Sequence, residues 1–94
     1  MAEQITYKLI TPIEFEVILK KLKQKKPDVL KILEKKIEKV LREPMLGKPL
    51  RNTLRNYRRV HVDPFVLLYE IRMLEVRLMD FDHHDKIYKK DKIL

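Results

Sequence analysis

Residues 57–81 read YRRVHVDPFVLLYEIRMLEVRLMDF, and the alternation within them decides the fold. In Tyr57–Val62, Val60 and Val62 fall on one side of an extended chain and Arg59 and His61 on the other, because successive side chains of a strand point to opposite faces. Asp63-Pro64 is a turn signal. Phe65–Arg72 is nearly continuous in apolar residues, the pattern of a central strand buried on both faces. Met73 stands close to the next turn, and residues 74–81 set Leu74, Val76 and Leu78 against Glu75 and Arg77. Three strands with links this short form an antiparallel meander.

Toward the N-terminus, residues 4–10 alternate Ile5, Tyr7 and Leu9 with Thr6 and Lys8, so they read as a further strand with one buried side. Thr11-Pro12-Ile13-Glu14 has the form of a capping box with proline at the first helical position. The helix it opens should reach residue 23, with Phe15, Ile18, Leu19 and Leu22 on its buried stripe. After a connector over residues 24–26, Pro27 starts a second helix in which Leu30, Leu33, Ile37, Val40 and Leu41 recur at steps of three and four. Pro44 and Gly47 stop it. Two helices joined this closely form an antiparallel hairpin. The expected order is β-α-α-β-β-β. This is an α+β fold with the hairpin on one face of a four-stranded antiparallel sheet, then a polar loop or short helix over residues 82–88.

The chain has 94 residues, which make one domain spanning 1–94. Its 22 Lys and Arg against 14 Asp and Glu give a net charge of +8, which calls for an anionic partner. Without cysteine there is no disulfide, and no cysteine-based nucleophile or metal site. No apolar run is long enough to span a bilayer and no signal-peptide pattern opens the chain, so a cytoplasmic protein with no membrane partner is expected.

The candidate chemistry sits in the second half. No acid occurs from Pro44 to Val62, a stretch that holds Lys48, Arg51, Arg55, Arg58, Arg59 and His61. A phosphate chain is bound by clustered cations that no neighbouring carboxylate cancels, although a solvated basic loop has the same composition. His61 has the residue type for proton transfer near neutral pH; an exposed polar residue on a strand would look the same. His84 and Tyr88 are four residues apart, hence on one face of a helical turn. The ring could stack on an RNA base, or it could anchor the C-terminal segment. Residues 80–85, Asp-Phe-Asp-His-His-Asp, carry ligand types without a recurrent metal motif, and neither a metal nor another cofactor is expected. A single glycine excludes a glycine-rich phosphate loop.

Four motifs in order resemble the RelE/ParE family of bacterial and archaeal toxins, and the YafQ branch most. They are Gly47-Lys48-Pro49-Leu50-Arg51-Asn52, then Tyr57-Arg58-Arg59-Val60-His61-Val62-Asp63-Pro64, then Leu67-Leu68-Tyr69-Glu70-Ile71, and last His83-His84-Asp85-Lys86-Ile87-Tyr88. The resemblance implies a type II toxin whose RelE-like members enter the ribosomal A site and cut mRNA there, without a metal, by attack of the 2′-hydroxyl on the adjacent phosphorus. By position, His61 and His84 then match the residues that share the acid and base roles. Arg59 matches a cation beside the reacting phosphate, Arg51 a loop contact to the backbone, and Tyr88 an aromatic that stacks or orients. Lys48, Arg55 and Arg58 would add phosphate contacts. Val66 and Leu67 stand where the family often has an arginine, and Phe65 where the YafQ pattern has an acid. The expected partners are the ribosome, mRNA and a small acidic, partly disordered antitoxin. The same resemblance admits a ParE-like gyrase inhibitor or an inactive member.

Overall fold

The computed structural model describes residues 6–50 and 56–90, and for 88–90 the backbone alone. Its elements are β1 (Lys8–Ile10), α1 (Ile13–Lys25), α2 (Pro27–Arg42), a 3-10 turn (Pro44–Leu46), β2 (Lys48–Pro49), β3 (Tyr57–Val62), β4 (Phe65–Arg72), β5 (Glu75–His83) and α3 (His84–Lys90).

The α+β class and the helical hairpin on the sheet are as the sequence implies. The sheet itself has five strands in the order β1-β5-β4-β3-β2. β3, β4 and β5 form the expected antiparallel meander with β4 in the middle. β1, however, runs parallel to β5, pairing Lys8 with Glu75 and Ile10 with Arg77. Hydrophobic alternation reports which face a strand buries and not its direction. The direction of β1 follows from the crossover through the two helices. β2 spans only two residues, too few to alternate visibly.

Both helices bury one stripe. Phe15 of α1 and Leu33, Ile37 and Val40 of α2 meet Val62, Leu67, Tyr69 and Phe81 of the sheet in one cluster. The first helix starts one residue later than the capping-box pattern implies. Pro12 is its N-cap, with no side-chain cap bond, and the Pro12 carbonyl accepts from Phe15 N and Glu16 N at 3.0 Å each. Glu14 and Glu16 stand in the first turn, where their charge suits the helix dipole. α1 continues to Lys25, leaving Lys26 as the whole link to α2.

A bulge between Leu68 and Tyr69 sets the two faces of β5. Leu68 pairs with Asp80 and Tyr69 with Leu78, so Met79 is the extra residue. Val76, Leu78 and Phe81 all join the core under the helices, although a strict period of two would have turned Phe81 away. Asp80 and Asp82 consequently share the opposite face with their cross-strand partners Leu68 and Val66. Val66, Leu68 and Ile87 are buried outside the helix-side cluster. α3 packs on β4 and β5 and supplies Ile87, so this second face carries a small core of its own.

Tyr69 ties the 3-10 turn to the sheet. Its hydroxyl donates to the Pro44 carbonyl at 2.7 Å and accepts from Gly47 N at 2.9 Å. Gly47 is needed for space: a Cβ there would stand 2.6 Å from the hydroxyl and 2.9 Å from the Arg59 carbonyl. Burial raises the Tyr69 phenol above its ordinary value, against the opposing pull of the Gly47 amide and the Arg58 charge.

Candidate functional site

Cross-strand register brings three of the sequence candidates together. Directly opposed residues of an antiparallel pair project from the same face. Lys48 opposes Arg59, and Arg59 opposes Leu68, which opposes Asp80. One row over, His61 opposes Val66, which opposes Asp82. Lys48, Arg59 and His61 therefore lie on the face away from α1 and α2, with Val66 and Leu68 as a buried apolar floor and two carboxylates beyond it. Adjacent strands are about 4.8 Å apart, so Arg59 and His61 of β3 stand roughly 10 Å from the acids of β5 across β4, and Lys48 of β2 is one strand farther.

His61 is exposed, its Nδ1 3.9 Å from Oδ1 of Asp63 in the following turn. At that exposure the pair contributes little to stability and leaves the ring able to turn toward a ligand. Arg59 is half-buried. Arg59, Asp80, Asp82 and His84 each take part in further polar or ring interactions within the fold.

His84 reaches the same end of the sheet from the other direction. β5 ends at His83, opposite Phe65, and His84 N donates to the Pro64 carbonyl at 3.1 Å. The turn that follows His61 and the first residue of α3 are thus bonded to each other. His84 stacks on His83 with ring centroids 4.7 Å apart, and its Nδ1 is 2.9 Å from Oδ1 of Asp85. His83 Nδ1 accepts from Asp85 N at 3.3 Å and lies 3.7 Å from Asp85 Oδ2. Sequence reasoning singled out His84 for catalysis and weighed His83 and Asp85 only as metal-ligand types, with no metal expected. The signal was the consecutive His-His-Asp at a strand end, where a turn folds neighbours onto one another.

Arg58 departs from expectation. Strand alternation turns it to the helix side with Val60 and Val62, and its Nη1 donates to the Met45 and Gly47 carbonyls. Its guanidinium holds the 3-10 turn and does not join Arg59 and His61. The two buried residues at the family's arginine position, Val66 and Leu67, are both 0% exposed, so an arginine there would have no water to reach. Arg51 and Arg55 lie outside the described residues, as does the side chain of Tyr88, whose backbone belongs to α3.

A second feature lies away from this face. Leu9, Ile13 and Val17 are exposed along a groove between β1, α1 and α2 whose walls include Leu19, Leu30 and Ile37. Among the described residues no helix is long and apolar enough to cross a membrane.

Comparison with known proteins places the architecture. Residues 14–88 match the family described as "ParE toxin of type II toxin-antitoxin system, parDE". The chain belongs to the RelE/ParE toxin superfamily. This toxin is 42% identical over 79 residues to the protein described as "Putative toxin RelE4" of Methanocaldococcus jannaschii, covering 81% of this chain and 84% of that protein. It is 37% identical over 78 residues to an uncharacterised protein of Methanosarcina mazei, covering 80% and 91%. Among solved structures, the toxin–antitoxin complex RelBE2 from Mycobacterium tuberculosis is similar at TM-score 0.68 and 26% identity, over 88% of this chain and 97% of that one. YafQ of E. coli, at TM-score 0.58 and 23% identity over 87% and 98%, shares the fold. So does a YoeB/ParE toxin from Agrobacterium tumefaciens, at TM-score 0.71 and 13% identity over 82% and 98%.

Proposed function

We propose that this toxin is a metal-independent endoribonuclease that cuts mRNA in the ribosomal A site and so stops translation. The observation that carries the proposal is the register that sets Lys48, Arg59 and His61 on one face, with His84 bonded to the turn beside them. In the reaction, one imidazole takes the proton of an RNA 2′-hydroxyl and the oxygen attacks the adjacent phosphorus. The P–O5′ bond breaks, and the other imidazole protonates the leaving 5′-oxygen. The products are a 2′,3′-cyclic phosphate and a 5′-hydroxyl end. His61 and His84 share the two roles. Arg59, with Lys48 behind it, stabilises charge on the equatorial oxygens as the phosphorane forms. Arg51, Arg55 and Tyr88 complete the set as backbone contacts and a stacking ring, and Arg58 is left to its structural duty.

The partner in the cell is a cognate antitoxin, as in the RelBE2 complex. An acidic, partly disordered chain would answer the charge of +8, and its apolar residues would fill the groove beside Leu9, Ile13 and Val17.

Primer extension on a defined mRNA in a cell-free translation mixture tests the reaction. Cuts at codon positions are expected only when ribosomes are present. Substitution His61→Ala or His84→Ala should suppress them by roughly 100-fold or more, the usual share of a general acid or base. The match to the ParE description favours one second reading, inhibition of DNA gyrase. Intact mRNA during continued translation, together with blocked supercoiling by purified gyrase, would establish that reading and remove the nuclease. If neither target is affected, the chain is an inactive member.

A further inference from the structure

We infer that His83, His84 and Asp85 form a binding site for a divalent transition-metal ion of the zinc, nickel and copper class. Each residue offers one ligand atom, and the three atoms lie within 4.8 Å of one another. Two imidazole nitrogens and a carboxylate oxygen are the donor set that these borderline-soft ions take, whereas magnesium and calcium favour oxygen alone. The donors stand close enough to converge on one ion with small side-chain adjustment. With ligand bonds of about 2.05 Å, tetrahedral donors stand about 3.3 Å apart. Oδ1 of Asp85 lies 2.9 Å from Nδ1 of His84 and its Oδ2 lies 3.7 Å from Nδ1 of His83, so small side-chain rotations bring one carboxylate oxygen and both imidazoles onto a shared ion.

The tripeptide is also held in place before any ion arrives. Register fixes His83 against Phe65, the Pro64 carbonyl fixes His84 N, and the Phe65 ring meets the His83 ring edge-on at 6.3 Å. The strand-to-helix turn makes consecutive residues converge, so the site needs none of the sequence spacings by which recurrent metal motifs are recognised. His83, His84 and Asp85 are 39%, 44% and 65% exposed, which leaves the remaining coordination positions to water or to a ligand. One corollary, unlike the site, rests on the proposed reaction: a bound ion would occupy the His84 imidazole that proton transfer requires.

The test is calorimetric titration of the untagged full chain with zinc or nickel chloride, beside copper titration followed by electron paramagnetic resonance. Expected are a single ion per chain, nitrogen hyperfine splitting from imidazole, and affinity lowered by about tenfold or more in His83→Gln/Asp85→Asn. His61→Ala should bind as the wild type does. Circular dichroism of the double variant, with a wild-type spectrum, shows that the loss is one of ligands. Absence of binding at millimolar metal overturns the inference, and so does affinity unchanged by the double substitution. These readouts are independent of RNA cleavage, so an inactive toxin that still binds the ion would end the nuclease reading and leave the metal site standing.

Discussion

Replacing Tyr69 by phenylalanine removes one oxygen from a fully buried position, and the structure gives the cost. The hydroxyl serves two backbone groups, accepting from Gly47 N and donating to Pro44 O. Phenylalanine fills the same volume, so no cavity term enters and the loss is that of unpaired polar groups. A buried donor or acceptor left without a partner costs about 1–3 kcal/mol. The amide is the more exposed to this loss, because it has one hydrogen where the carbonyl has two lone pairs. We expect about 2–3 kcal/mol in total. A domain of this size has roughly 5–14 kcal/mol to lose and a melting midpoint that moves about 4–8 °C per kcal/mol. Tyr69→Phe should therefore stay folded at room temperature and melt roughly 10–20 °C lower. Thermal unfolding by circular dichroism measures this. The cycle with Gly47→Ala sharpens it. The alanine Cβ meets the hydroxyl at 2.6 Å, so removing that oxygen relieves part of the clash, and the double variant should be less damaged than the sum of the singles. A midpoint within a few degrees of wild type for Tyr69→Phe, or strict additivity in the cycle, would refute the reasoning.

Three further outcomes follow from described features. The Tyr69 phenol titrates above its ordinary 10.0 in the folded chain. Its stabilising contribution is complete below that unfolded value and is lost as pH rises through the folded one. The stability difference between wild type and Tyr69→Phe should narrow in alkaline urea melts, and a constant gap would contradict the burial. Arg58→Ala removes the nitrogen that serves both the Met45 and Gly47 carbonyls, and should cost about 1–2 kcal/mol in denaturant melts. RNA cleavage per folded molecule should be unchanged, and a selective loss of cleavage would return Arg58 to the phosphate site. Met73, with φ 54° in the β4–β5 turn and a nearly fully exposed side chain, sits in the left-handed region. Met73→Gly should gain about 0.5 kcal/mol, the strain released less the extra freedom of the unfolded chain. A lower melting midpoint would show that Met73 does more than turn the chain.

The meander was readable because β3 and β4 each obey a single burial rule, and their predicted bounds coincide with the observed ones. β5 was read two residues short. Asp82 and His83 look like loop, yet they pair with Val66 and Phe65. The bulge at Met79 is also invisible to a period of two, and it decides that Asp80 and Asp82 join the face of Arg59 and His61. Of the candidate site, the residue types and the order of motifs were legible. The opposed faces of Arg58 and Arg59 needed only alternation, but the choice of which cation serves the fold depended on the position of the 3-10 turn. Contacts made by a turn on itself, as at His83 and Asp85, have no periodicity to betray them.

The shortness of β1 and β2 has a consequence for the chain in crowded surroundings. They are the outermost strands of the sheet, three and two residues long, and between them they carry Lys8, Lys48 and Pro49. An outer strand invites another chain to continue its ladder, and brevity, positive charge and a residue without an N–H each discourage such pairing. A protein with a strongly apolar central strand is thereby guarded at both margins against joining its sheet edge to edge with those of its own copies.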